Sequence, residues 1–590
     1  MTQAKILERL EQRPMRPRQE EALGNAVCLV VVDSRGPYWE RSIVEPTILR
    51  ALDHFGIPYR VVDLGQTRLT PEQLAFSAAV LLAQNGLNAS LSGEQARTLA
   101  EAVRAGVGLV NFDFDLRACP GPLRELFGLD RISPYVYATN QVQIGPSPHF
   151  IAAMQDPGEC HLLDRMVSAA IAESRRADVA VVAQGILGKE QLVYTRHVVP
   201  GTTLMPGNYP LLFATQVGQG RAVQFAVNMR IWLQGTFGHG RELDDLFWRS
   251  IVWAARKPLP ANIVPPLACL SIDDCEGRTD FAYVQIAHRH GFVPLPSLNL
   301  RVVPERLYPK IRQLIESRTA LFNTHAIDYY ELLCYEFGSG ECSTDRLEER
   351  FAVHDAFWRR VGARHSETFR GHWGEYGVRS LLYFKKRGIR FLNPVLAPGL
   401  MKVDQAGSGG YWPYGLKNRM YDRLPDDPEM FGVSSLPPRH REDFLTGSTT
   451  YLGESPTNDV ERAARSAAKI LSSGLRSGFF GELTTHEQKF DALPMPVWDK
   501  LLARARQLTA DQEIIFTDHD EVSHCLKSKY DTSIAEADAQ GSRLLVRLTG
   551  RAVSPLQLSV FLNEDDGVRR EYRAVQPFED QADEESEVYQ

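Results

Sequence analysis

The sequence predicts an α/β protein of 590 residues with more than one domain. Short β-branched runs such as AVCLVVV at 26–32 alternate with amphipathic helical segments, a pattern typical of parallel strands covered by helices on both faces. The alternation restarts after a proline-containing linker at 259–265, and residues 542–578 alternate with a period of two. We therefore expect a doubly wound N-terminal domain over 1–258, a distorted (β/α) barrel over 266–530 and a small antiparallel β module.

The composition excludes several classes of protein. With 44% hydrophobic and 24% charged residues, the chain matches ordinary soluble globular proteins. The net charge is −7, and the tail EDQADEESE at 579–587 holds six carboxylates, so the rest lacks the basic surface that binds nucleic acid. No apolar run reaches the ~20 residues of a membrane span, and residues 1–25 contain no apolar signal region. We expect a cytoplasmic protein without a membrane span, or a secreted one if a signal peptide has been removed. We also expect a disordered acidic tail over 579–590, while the pattern defines no oligomeric state.

The turn after the third predicted strand of the first domain reads Gln84-Asn85-Gly86. The segment 1–258 resembles the class I glutamine amidotransferase-like (ThuA-like) fold, whose catalytic members carry a cysteine on that turn. Because no cysteine stands here, the resemblance implies a non-catalytic domain. Asp113 and Asp115 follow the next strand, where we expect turn and cap carboxylates.

Polar side chains follow predicted strands at three places in the second domain. The three stretches are Ser271-Ile272-Asp273-Asp274, Asn323-Thr324-His325 and Leu483-Thr484-Thr485-His486. In a parallel barrel, these strand ends open onto the active face. Side chains alternate along a strand, so one of two adjacent carboxylates can bind a metal ion while the other reaches the water that the ion activates.

Together with TFRGHWG at 368–374, these strand ends resemble the NodB-type polysaccharide deacetylases of carbohydrate esterase family 4. The resemblance covers roughly residues 266–530, and the motifs run in the same order along the chain. It implies a divalent metal ion, with zinc first and cobalt, nickel or manganese as alternatives, bound by Asp274 and His325. The implied substrate is an acetylated amino-sugar glycan.

One metal ligand departs from the family pattern. The fourth residue after His325 is Tyr329, where the family has a second histidine, and His372 stands where the family usually has proline. We expect His372 to supply the missing ligand, because the glycines of its motif permit the chain to bend over the site. Asp328, Tyr329 and a water molecule remain alternatives.

The same resemblance assigns the chemistry. Asp273 would be the general base that takes a proton from the activated water, and Arg370 would orient and charge that base. The backbone N–H of Trp373 would stabilise the oxyanion, and His486 would protonate the leaving amine. The implied reaction is metal-assisted hydrolysis of an acetyl group, in particular an N-acetyl group of an amino sugar.

Two other functions fit parts of the sequence. A catalytically inactive carbohydrate-binding or scaffold protein would keep the fold without a working metal site. A barrel glycosidase would use a carboxylate pair such as Asp273 and Glu482 and no metal ion. The irregular segment 399–456 either offers its aromatic rings to sugar faces or uses them to anchor a long loop. These rings are Tyr411, Trp412, Tyr414, Tyr421 and Phe431.

Overall fold

The computed structural model describes residues 21–233, 236–240, 242–336, 340–372, 376–393, 422–424, 427–433, 443–446, 455–564 and 567–587. The strands are β1 Cys28–Val32, β2 Tyr59–Asp63, β3 Ala79–Leu82, β4 Gly108–Asn111, β5 Arg131–Ile144, β6 Cys160–Glu173, β7 Val179–Leu187, β8 Gly207–Val217, β9 Gly220–Phe225, β10 Leu259–Ile263, β11 Leu267–Cys275, β12 Leu295–Asn299, β13 Asn323–Ala326, β14 Tyr335–Glu336, β15 Gly340–Glu341, β16 Thr368–Phe369, β17 Phe391–Leu392, β18 Asp422–Leu424, β19 Asp427–Gly432, β20 Gly481–His486, β21 Ile515–Phe516, β22 Thr532–Gln540, β23 Arg543–Ala552, β24 Leu556–Glu564, β25 Gly567–Val575 and β26 Phe578–Glu587. The α-helices are α1 Tyr38–Arg41, α2 Arg50–Phe55, α3 Pro71–Ala75, α4 Leu87–Ser90, α5 Gly93–Arg104, α6 Gly121–Leu126, α7 Lys189–Val198, α8 Asp244–Ala254, α9 Ala282–Arg289, α10 Tyr308–Glu316, α11 Thr344–Val361, α12 Val378–Lys386, α13 Val460–Arg476, α14 Met495–Leu508 and α15 His519–Tyr530.

The chain divides into two compact units. The host unit consists of Arg18–Ile263 together with Asp531–Gln590, and the inserted unit contains Val264–Tyr530. The inserted unit therefore interrupts the sequence of the host unit. The flanks of the interruption meet within the host unit, where Asn262 Nδ2 donates a hydrogen bond to Thr532 Oγ1 at 2.9 Å.

The host unit contains a nine-stranded sheet in the order β2-β1-β3-β4-β9-β8-β7-β5-β6. The pairs from β2 through β9 are parallel, whereas β8, β7, β5 and β6 add antiparallel partners. Strands β1 and β3 are apolar and almost wholly buried, as expected for parallel strands with both faces covered. The mixed α/β class predicted from the sequence is confirmed.

The predicted linker at 259–265 and the start of the β module differ from the sequence prediction. Residues 259–263, expected in a linker, form edge strand β10, which pairs with β24 and so joins the expected β module to the host unit. Pro260 is compatible with this position because an edge strand has one unpaired side. The module begins earlier than expected, with β22.

The expectation of a disordered acidic tail is wrong for residues 579–587, which belong to strand β26. This strand pairs antiparallel with β23 along its whole length. Arg547 and Arg551 on β23 lie 2.9 Å from Asp583 and 3.1 Å from Glu579, respectively. The arginines of β23 therefore offset the negative charge of β26, and the mutual repulsion of these carboxylates was the reason to expect disorder.

The inserted unit contains a parallel sheet in the order β13-β12-β11-β20, with β21 beside the start of β11. Strands β16, β17 and β19 form a second parallel set, to which β18 adds an antiparallel edge. Strands β14 and β15 form a separate antiparallel pair, so the described strands of this unit lie in three sheets, and the NodB-type barrel stays a prediction. Among the described helices, none is both long enough and apolar enough to cross a bilayer.

Candidate metal centre

Asp273 and Asp274 lie at the carboxyl end of β11, the central strand of its sheet. The pairing of β11 with β12 shifts register between Ile272 and Cys275, so the two aspartates occupy a bulge. Asp274 has a φ of 56°, in the left-handed region that aspartate enters more readily than most residues with a side chain. The bulge directs the two neighbouring carboxylates to different partners, Arg370 for Asp273 and two histidines for Asp274.

Three candidate ligands converge at this strand end. Asp274 Oδ1 lies 3.4 Å from His325 Nε2 and 3.2 Å from His372 Nδ1, and the two ring nitrogens are 2.9 Å apart. Such separations match the edges of a coordination shell with bonds of about 2.0–2.2 Å. Asp274 Oδ1 is buried and accepts no well-formed hydrogen bond from the described residues. A buried carboxylate oxygen facing two imidazole nitrogens fits a divalent cation.

The orientation of His325 is fixed by its second nitrogen. Its Nδ1–H donates to the backbone carbonyl of Arg370 at 2.9 Å, which leaves Nε2 directed at Asp274. His325 comes from β13, and His372 follows β16, so two strand ends supply the two rings. The rings meet edge to face with their centroids 4.8 Å apart.

The alternative ligands are used elsewhere. Asp328 accepts the backbone N–H groups of Tyr330 and Glu331 at 2.9 Å each and lies 3.1 Å from Arg301. Tyr329 is 39% exposed. Neither residue belongs to the candidate ligand group of Asp274, His325 and His372.

Burial and neighbouring charge oppose each other at the aspartates. Burial works to raise the pKa of Asp274, but His325 and His372 outweigh it and hold that pKa well below its usual value. Burial would likewise raise the pKa of Asp273, but Arg370, followed by His325 and His486, lowers it. Arg370 Nε donates to Asp273 Oδ1 at 2.8 Å. Both carboxylates are therefore ionised at neutral pH, as a metal ligand and a proton acceptor require.

His486 is held by a carboxylate that the sequence analysis missed. Its Nδ1–H donates to Asp443 Oδ2 at 3.3 Å. Asp443 is fully buried and also accepts from the Thr485 hydroxyl at 3.1 Å and the Leu445 N–H at 3.0 Å. Asp443 lies in the irregular segment 399–456, where no periodicity distinguishes it from its neighbours.

The aromatic predictions have a mixed outcome. Phe431 is buried and packs against Phe391 and Tyr530, which agrees with the alternative in which these rings anchor the segment 399–456. Trp373 lies outside the described residues, as do the other aromatic residues considered for sugar contact, namely Tyr411, Trp412, Tyr414 and Tyr421.

The turn after β3 in the host unit carries amides in place of a nucleophile. Gln84 exchanges two hydrogen bonds with the backbone of Asp33, and Asn85 Nδ2 donates to Glu40 Oε2 at 2.7 Å. Asp113 accepts the N–H of Asp115 at 3.0 Å, and Asp115 accepts the N–H of Arg117 at 3.2 Å, which are the turn and cap roles expected for them. Asp113 also accepts the N–H of Asn88 at 2.8 Å. Burial raises the pKa of Asp113 to about 7.

No family model and no curated protein matches this chain. The crystal structure of Agd3, described as a novel carbohydrate deacetylase, is 11% identical and covers 96% of this chain and 99% of its own, with a TM-score of 0.46. The Bc1960 peptidoglycan N-acetylglucosamine deacetylase is 11% identical and covers 44% of this chain and 92% of its own, with a TM-score of 0.26. A ThuA-like protein from Bacteroides uniformis is 12% identical and covers 40% of this chain and 95% of its own, with a TM-score of 0.28. The function proposed below rests on the geometry of the site in this chain.

Proposed function

We propose that this protein is a metal-dependent carbohydrate deacetylase that hydrolyses acetyl groups, N-acetyl groups in particular, of an amino-sugar polysaccharide or oligosaccharide. The observation that carries the proposal is the position of Asp273. It adjoins the candidate ligand group of Asp274, His325 and His372, and it is paired with His486 on the neighbouring strand. Metal ligands, an ionised base and a histidine acid are the parts that amide hydrolysis at a metal centre needs.

Asp274, His325 and His372 would hold the metal ion, with zinc the first choice for two imidazoles and a carboxylate. When bound, the ion supplies a Lewis acid that polarises the acetyl carbonyl and acidifies a water molecule. Asp273 accepts the proton of that water, since Arg370 keeps its carboxylate ionised. His486 donates a proton to the leaving nitrogen, with its Nδ1 held by Asp443. An oxyanion contact from the Trp373 N–H rests on the family resemblance.

The geometry argues against the glycosidase alternative. Arg370 contacts Asp273 and Glu482 at 2.8 Å each, so one guanidinium stabilises the ionised form of both carboxylates. A glycosidase needs one of the pair to stay protonated as the general acid. The proposed role of the host unit is non-catalytic, because amides occupy the turn after β3.

The test uses full-length protein purified without chelator. We expect about one equivalent of a divalent metal per chain and release of acetate from N-acetylglucosamine oligomers, abolished by EDTA and restored by zinc. The Asp274→Ala variant should lose both metal and activity. A folded protein that binds no metal would support the inactive scaffold, and sugar release that survives EDTA would support the glycosidase.

A further inference from the structure

Arg370 is held from two sides in the buried interior behind the proposed base. Its Nε donates to Asp273, its Nη1 donates to Glu482 Oε1 at 2.8 Å, and its Nη2 lies 3.3 Å from Thr484 Oγ1. The Arg370 side chain is 7% exposed and that of Glu482 is 3% exposed. Because a guanidinium is planar, the contacts of Nη1 and Nη2 fix the plane in which Nε meets Asp273.

Glu482 is in turn held by the first residue of α15. His519 Nε2 lies 3.1 Å from Glu482 Oε1, and the imidazole is 1% exposed. His519 Nδ1 has no hydrogen-bond partner among the described residues. A proton on Nε2 satisfies both observations, because a proton on Nδ1 would be a buried N–H donor without an acceptor among the described residues. His519 therefore donates its N–H to Glu482.

The same helical turn also holds the backbone that leads to Arg370. Asp520 Oδ1 accepts the N–H of Thr368 at 3.0 Å and its hydroxyl at 2.8 Å, and Asp520 Oδ2 accepts the N–H of Glu367 at 3.0 Å. Thr368 begins β16, two residues before Arg370. The helix-capping contact belongs to Asp518, which accepts the N–H of Glu521 at 2.8 Å. Capping therefore does not account for His519 and Asp520.

We propose that Glu482 and His519 are positioning residues for the deacetylation proposed above, on which this inference rests. They hold the Arg370 guanidinium in the orientation that charges and aims Asp273. Neither side chain belongs to the Asp274, His325 and His372 group. Loss of either one should disturb the base and leave the metal ion in place.

A second metal ion is the competing explanation of this cluster. Cys269 Sγ lies 3.5 Å from His519 Nε2, and Cys269, Glu482 and His519 offer three ligand atoms within 4.8 Å of one another. Such an ion would have to share Glu482 with the positively charged Arg370. It would also require Cys269 to be a thiolate in the buried interior. Metal stoichiometry separates the two explanations.

The first experiment is a double-mutant cycle in the full-length, zinc-loaded protein. We expect Glu482→Ala to lower kcat for acetate release by about 10–100-fold, with KM and the zinc content near those of the wild type. Glu482→Gln, which keeps an oxygen acceptor for Arg370, should retain more activity. In an Arg370→Met background, Glu482→Ala should have little further effect, because the residue that it positions is gone. A full additional loss in that background, or a drop in bound zinc from two equivalents to one, would overturn the proposal.

His519 is tested with a matched control on the same helix. We expect His519→Leu to reproduce the kcat loss of Glu482→Ala and His519→Gln to restore part of it, since a glutamine amide can donate to Glu482. His524→Leu removes a half-buried histidine of α15 whose Nε2 lies 3.3 Å from Glu367 and not beside Glu482, and it should leave kcat unchanged. Equal activity in His519→Leu and wild type would remove His519 from the proposal.

A crystal structure of Glu482→Gln and Glu482→Ala gives a readout that needs no activity. We expect the Arg370 guanidinium to leave Asp273 in the alanine variant. If the contact persists at about 2.8 Å, the positioning role is wrong even in an active enzyme. If the wild type releases no acetate but the contact is lost, the proposed reaction fails while the structural dependence of Arg370 on Glu482 stands.

Discussion

Asp273 on β11 and His486 on β20 face each other directly in the parallel register of the two strands. The proposed base and the proposed acid therefore come from neighbouring strand ends. Each is secured by a separate buried partner, Arg370 for Asp273 and Asp443 for His486. The two proton-transfer groups can accordingly be perturbed one at a time.

Removal of either proton-transfer group should slow turnover strongly without releasing the metal ion. We expect Asp273→Asn and His486→Ala each to lower kcat for acetate release by at least about 10²-fold, the usual size of an acid–base contribution. Zinc content by elemental analysis and the unfolding temperature serve as controls. Near-normal turnover in either variant would remove that residue from the mechanism.

Asp443 should act through His486. We expect Asp443→Asn to lower kcat by about 10-fold or more, because an amide no longer stabilises the protonated imidazole. In a His486→Ala background the same substitution should change kcat little. An equal loss in both backgrounds would mean that Asp443 supports the fold and not the acid.

The third metal ligand can be identified by comparing His372→Ala with Asp328→Ala. We expect the histidine variant to bind zinc at least about 10-fold more weakly. Loss of a direct ligand should weaken zinc binding more than loss of a residue that only hydrogen-bonds to a ligand. Asp328→Ala should retain wild-type affinity, because its carboxylate is engaged with Arg301 and the following turn. Competition with a chromogenic chelator measures both affinities, and the reverse order would make Asp328 the ligand.

The buried carboxylate of Asp113 predicts how the stability of the host unit depends on pH. Its pKa of about 7 lies above the unfolded value of about 3.9, so the folded state holds an extra proton between these values. The free energy of unfolding should therefore fall as pH rises through this window, by up to about 1.4 kcal/mol per unit. Asp113→Asn should remove this contribution in urea unfolding at pH 5 and pH 7.5. Asp178→Asn, at an exposed ion pair, should keep it, and identical slopes for wild type and Asp113→Asn would contradict the prediction.

The sequence predicted the parts of the site that short motifs carry. Asp273, Asp274 and His325 follow predicted strands, and the structure gathers them at one edge of the sheet, although their roles remain proposals. Asp443 was missed because its function depends on where an irregular segment returns to β20. Glu482 was considered only as half of a carboxylate pair, because its contacts with Arg370 and His519 join residues far apart in the chain.

The errors at the ends of the chain have the same origin. An acidic tail is disordered in isolation, and β26 is ordered because β23 offers arginines opposite its carboxylates. A proline-containing segment suggests a linker, and β10 is a strand because β24, about three hundred residues later, pairs with it. The composition of a segment contains no information about the strand that pairs with it. Pairing between segments that are far apart in the chain therefore cannot be predicted from composition.

The interrupted host unit imposes an order on folding during synthesis. The Val264–Tyr530 segment is continuous and can be completed on the ribosome, whereas β10 must wait for β24. At translation rates of about 5–20 residues per second, this wait lasts on the order of half a minute. During that time an edge strand has no partner and is open to pairing with another chain. In nascent chains arrested before β24, proteolysis should therefore cut at the unpaired β10 more readily than in strands β1–β9, which already have all their sheet partners.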